Sequence, residues 1–95
     1  MAAAQHLIAE DVQELRREAG RWLKDLRLKK GLSQRELAEL TGTEYYTFVS
    51  QLETGRGRIP SDQYVLWAEA LGVDPKEFAK TMMRFYDPVT FDILF

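Results

Sequence analysis

An all-α fold is predicted for this chain by three observations. Apolar residues recur at three- and four-residue steps through most of the 95 residues. Helix start and stop signals bracket each such stretch. Residues 33–53 read as two short helices joined by a turn at Gly42. The expected architecture is a compact five-helix domain with an N-terminal helical extension and a short apolar C-terminal tail. It divides into an extension over 1–20, helical from about residue 10, a domain over 21–86 that holds the two short helices and their turn, and a tail over 87–95.

The first helix is expected over about 10–30, where Val12, Leu15, Ala19, Trp22, Leu23 and Leu26 form one apolar stripe. Gly20 weakens it and leaves a bend or a break open as an alternative to one continuous helix, and Gly31 stands just past its end, after Lys29 and Lys30, which suit the negative end of the helix dipole. Ser33 followed by Glu36 is a capping box opening the second helix, and Gly42 ends it. A third helix is expected over 44–53, and residues 55–60 form a loop by composition. Ser61 caps a fourth helix carrying Tyr64, Val65, Trp67, Ala68 and Leu71, stopped at Gly72. Asp74, Pro75 and Glu77 open a fifth, which carries Phe78, Met82, Phe85 and Tyr86. Asp87-Pro88 then breaks the chain, and the tail after it reads as a short helix in preference to a strand. Trp22 and Trp67 belong to a core or an interface.

Ninety-five residues make one small domain. A chain of this size buries little more than about 60% of its unfolded surface, which favours a second copy covering apolar residues. Without cysteine there is no disulfide framework or thiolate metal site, which fits a reducing cytoplasm. The start, Met1 to His6, lacks a basic segment followed by a long apolar run, so no secretion signal is expected, and no stretch has the length of a membrane span. The net charge of −2 is unevenly spread: −2 over residues 1–20, +3 over 21–60 and −3 over 61–95. Positive charge thus collects in the segment with the two-helix motif. Weak non-specific affinity for phosphate follows, with more weight on direct base reading and dimerisation.

The third helix sorts into two faces. Tyr45, Phe48, Val49 and Leu52 form a core stripe, while Tyr46, Thr47, Ser50 and Gln51 form an uncharged hydrogen-bonding row. Such a row suits base edges in a major groove. Catalytic chemistry finds no support. His6 is the only histidine and has no cysteine neighbours, so neither a metal site nor a triad is expected. Gly55-x-Gly57 follows a helix, lacks a third glycine, and has no lysine before serine or threonine, so it is no nucleotide loop. Glu36 is a capping residue and Glu39 its surface neighbour. No enzyme activity, cofactor or metal is expected.

The chain resembles the phage Cro and cI repressor family of helix-turn-helix proteins, also called the xenobiotic-response-element family. The resemblance spans about residues 23–78 and rests on 26–34 (LRLKKGLSQ), Leu37-Ala38, Gly42, 51–55 (QLETG), Pro60 and 70–73 (ALGV), in this order and spacing. In one respect it departs. Counted from Gly42, the family's core slots fall on Phe48 and Gln51, whereas Val49 and Leu52 are the residues that fit, so one extra residue is expected within 43–45.

The resemblance implies a lambda-repressor-like fold whose third helix enters the major groove while the second crosses the backbone. Gln51 is then the foremost base reader, because its amide matches adenine N6 and N7, with Tyr46, Thr47 and Ser50 beside it. Gln34 matches a residue that touches a phosphate and braces the reading helix, and Arg35 offers a second phosphate contact. Arg56 and Arg58 match a loop that approaches the backbone, and Arg27 with Glu53 matches a structural salt bridge.

The apolar tail has three readings: it completes the core, forms a dimer interface, or stays disordered. A homodimer through residues near 78–95, with Phe85, Phe91, Ile93, Leu94 and Phe95 in the interface, is preferred, and the amphipathic segment 7–23 is second. The expected function is that of a cytoplasmic transcriptional regulator, a repressor that blocks polymerase from an inverted-repeat operator. Half-sites would lie about 34–36 Å apart. The alternatives are an antitoxin that also binds a toxin, and a protein-interaction module that does not bind DNA.

Overall fold

The computed structural model describes residues 9–95; the expectations for residues 1–8, His6 included, lie outside the described residues. Six α-helices and no strands are present among the described residues: α1 (Ala9–Lys29), α2 (Gln34–Leu40), α3 (Thr47–Glu53), α4 (Tyr64–Leu71), α5 (Pro75–Tyr86) and α6 (Pro88–Leu94). A 3-10 turn, Ser61–Gln63, leads into α4. α1 packs against α3 and α5, α2 against α3, α4 against α5, and α5 against α6. The core between them holds Leu23, Leu37, Val49, Leu52, Ile59, Trp67, Phe78 and Met82, all fully buried. Half-buried Trp22 closes one side, with its ring 5.6 Å from Phe78 and 6.5 Å from Phe85. No described helix is long and apolar enough to cross a membrane.

Local signals set most helix starts. Ser33 Oγ accepts from the Glu36 N–H at 3.0 Å, and Glu36 Oε1 accepts from the Ser33 N–H at 2.8 Å, completing the capping box. Asp74 accepts from the Glu77 N–H at 3.1 Å ahead of Pro75. Asp87 does the same for the Thr90 N–H at 3.3 Å ahead of Pro88, and this cap makes the tail a sixth helix.

The structure corrects the sequence reading in four places. Ser61 opens the 3-10 turn and does not cap α4, which starts after Gln63 with no side-chain cap. α1 runs unbroken through Gly20, so the division drawn after residue 20 falls inside a helix. Gly20 is there for packing: a Cβ on it would lie 2.5 Å from the Leu52 carbonyl oxygen and closer still to that of Glu53. The third helix begins at Thr47, not at 44, because the end of α2 takes more chain. The Thr43 N–H donates back to Ala38 O at 2.8 Å and its hydroxyl pairs with that of Thr41, so the turn extends to Tyr46. Tyr45 consequently precedes the helix and is 65% exposed, outside the core stripe that Phe48, Val49 and Leu52 share. Phe85, grouped with the tail by sequence, is 6% exposed and sits in the monomer core beside Trp22.

Candidate nucleic-acid interface

Seven residues make α3, too few to hold a helix alone, so its conformation depends on what its inner face meets. Val49 and Leu52 enter the core, and Glu53 beside them is buried as well. Arg27 on α1 meets Glu53 in a two-pronged pair: Nε donates to Oε2 at 2.6 Å and Nη2 to Oε1 at 3.1 Å. The two side chains are only 8% and 4% exposed. The third guanidinium nitrogen, Nη1, donates to Leu32 O at 2.8 Å, in the turn between α1 and α2. Gln34, at the first position of α2, donates to Glu53 Oε1 at 3.0 Å. One carboxylate therefore ties α1, α2 and α3 together.

With that face turned inward, Thr47, Ser50 and Gln51 lie on the outer side, where Thr47 and Gln51 are exposed and Ser50 is half-buried. Tyr46 precedes Thr47, and the Arg35 guanidinium of α2 lies 4.6 Å from the centre of its ring. The four residues expected to read bases, and one of those expected on the backbone, are thus neighbours on one surface. No ionised side chain of α3 stands on that outer face, because Glu53, its one carboxylate, is buried.

The loop after α3 splits the two remaining arginines. The Arg56 N–H donates to Gln51 O at 2.8 Å, which anchors Arg56 against the last turn of α3, and its side chain is exposed. Arg58, also exposed, places its guanidinium 5.0 Å from the centre of the Tyr86 ring on α5. Tyr86 accepts from the Ile59 N–H at 3.4 Å, and burial pushes its hydroxyl above the ordinary tyrosine range. Burial also raises Tyr64, with the Arg58 charge pulling the other way.

Two residues escape sequence reasoning. Gln13 on α1 donates from Nε2 to Gly55 O at 2.9 Å. Gly20 lets α1 close onto the end of α3. Only the run of the apolar stripe upstream of Trp22 hints that α1 reaches so far. At the end of the chain Ile93, Leu94 and Phe95 are exposed, Phe95 with Lys80 Nζ of α5 4.8 Å from its ring centre, while Phe91 is half-buried with its ring 5.1 Å from that of Phe95. Groups of His, Cys, Asp and Glu able to hold a metal ion are absent among the described residues.

A family model described as helix-turn-helix matches residues 23–78, more than half of the chain. Among solved structures the chain is similar to the restriction-modification controller protein C.AhdI from Aeromonas hydrophila. The two are 34% identical over 68% of this chain and 96% of that one, with a TM-score of 0.59. No curated protein matches the chain.

Proposed function

The chain belongs to the Cro/cI-type helix-turn-helix family, and from that premise we propose that it is a repressor reading an inverted-repeat operator as a homodimer. It is a DNA-binding transcriptional regulator and not an enzyme. The observation that carries the finer reading is the outer side of α3, where Thr47, Ser50 and Gln51 offer hydrogen bonds without charge. Such a surface has no net charge to attract phosphates and can hydrogen-bond base edges. In this reading Gln51 bonds adenine, Tyr46, Thr47 and Ser50 flank it, and Gln34, Arg35, Arg56 and Arg58 serve the backbone. Likeness to a restriction-modification controller supports a control function of that kind.

Selection of bound duplexes from a random library tests the reading. Wild type is expected to enrich an inverted repeat. Gln51→Ala is expected to bind that repeat about 10- to 100-fold more weakly, the size of one good base contact. Absence of any enriched sequence would refute the reading.

The exposed end of α6 supports pairing of two copies through Ile93, Leu94 and Phe95. Ile93 is 76% exposed, so an acidic side chain there leaves the monomer fold intact. The Ile93→Glu/Leu94→Glu variant is expected to run as a monomer in light scattering where wild type runs as a dimer. A dimer of unchanged mass in the variant would remove α6 from the interface.

A further inference from the structure

α1 begins at Ala9, well ahead of the family match at residue 23, and besides packing Trp22 on α5 this added length meets the end of α3. Gln13 Nε2 donates to the carbonyl of Gly55, 42 residues away in sequence. The two backbones touch at the same point. Gly55 has φ +81°, and a Cβ on it would lie 2.9 Å from both the Arg17 backbone N and the Arg17 Cγ. One turn further on, Gly20 seats the Leu52 and Glu53 carbonyls. Residues 52–55 are therefore clamped along one side of α1, and the next residue is Arg56. The Arg56 N–H is held by Gln51 O, so the clamp fixes the backbone from which this exposed side chain extends.

From this geometry we propose that Gln13 is a positioning residue for DNA binding. It holds the loop after α3 so that the Arg56 guanidinium is already placed against a phosphate when the operator arrives. The inference rests on the reading above that Arg56 serves the DNA backbone. Gln13 itself is on the exposed side of α1 and its amide bonds a loop carbonyl, so its loss releases the loop more than it weakens the core. Loops left free must be ordered on binding, and that entropy is subtracted from affinity. The bond made by Gln13 removes the cost in advance.

The test measures operator affinity as a function of salt for wild type, Gln13→Ala, Arg56→Ala and the double variant. The probe is the enriched duplex from the library selection. Arg56→Ala is expected to make the salt dependence shallower, because each lost phosphate contact removes about 0.9 from the slope of log K against log salt. Gln13→Ala changes no charge, and because Arg56 still reaches its phosphate once binding has ordered the loop, it is expected to leave the slope at the wild-type value. It should still weaken binding about three- to tenfold, as for loss of one hydrogen bond of ordinary net worth. In the Arg56→Ala background it should add nothing. In the free protein, trypsin should cut after Arg56 faster in Gln13→Ala than in wild type. If Arg56→Ala leaves the slope unchanged, the backbone reading of Arg56 fails. If Arg56→Ala flattens the slope and Gln13→Ala leaves the affinity unchanged, or if the two losses of affinity add, the positioning role alone is overturned.

Discussion

Replacement of Arg27 by alanine is expected to remove about 3–5 kcal/mol of folding stability, the cost of leaving a buried partner charge uncompensated. Glu53 loses both guanidinium bonds and keeps only the Gln34 amide, in a site where its side chain is 4% exposed. The Leu32 carbonyl loses its side-chain donor in the same step. For a domain of this size about 1 kcal/mol corresponds to 4–8 °C, so the melting temperature should fall by at least about 12 °C. Arg27→Lys should recover part of this, since an ammonium supplies charge without the planar fork. An Arg27→Met/Glu53→Leu double variant should be more stable than Arg27→Ala, because no charge is then stranded. Thermal unfolding followed by circular dichroism decides the matter, and a melting temperature of Arg27→Ala close to wild type would refute the account.

Gly20→Ala is the second large effect, and its sign separates two opposed forces. Helix propensity alone favours alanine over glycine by about 1 kcal/mol inside a helix. Packing opposes it: the new methyl would overlap the carbonyl oxygens of Leu52 and Glu53. Both obstacles are backbone atoms, with no flexible side chain to swing away. Overpacking of this kind costs about 1–3 kcal/mol and occasionally more. We expect the clash to win by about 2 kcal/mol, lowering the melting temperature by roughly 8 °C or more. A raised melting temperature would mean that α1 and α3 separate easily. Because Glu53 is in the affected turn, the variant should also disturb the Arg27 pair, and the two substitutions should not add.

The helix starts at Ser33, Asp74 and Asp87 were legible in the sequence because each cap is made within three residues of itself. The outward placement of Gln51 was legible too, once Val49 and Leu52 were assigned inward by period. What escaped depends on partners distant in the chain or on where a preceding helix stops. Tyr45 reads as core only if the third helix starts at 44, and the turn closed by the Thr43 N–H on Ala38 O, which carries the chain on to Tyr46, is not visible in the residue pattern. Gly20 looked like a weak point because its reason lies at residues 52 and 53, on another helix. Arg58 reads like Arg56 in a run of alternating glycine and arginine, and only the tertiary position of Tyr86 tells the two apart.

The two sides of α3 have separate employment. Val49, Leu52 and Glu53 hold the helix in place, while Thr47 and Gln51 take no part in that and half-buried Ser50 takes little. Exchanging outward residues of this sort ordinarily shifts stability by less than about 0.5 kcal/mol. With the base-reading role proposed for these three positions, a change of target sequence need not pass through an unstable intermediate. In that reading duplicated copies of this chain can diverge toward different operators one substitution at a time, and the three positions form a compact library for building regulators that ignore one another's sites.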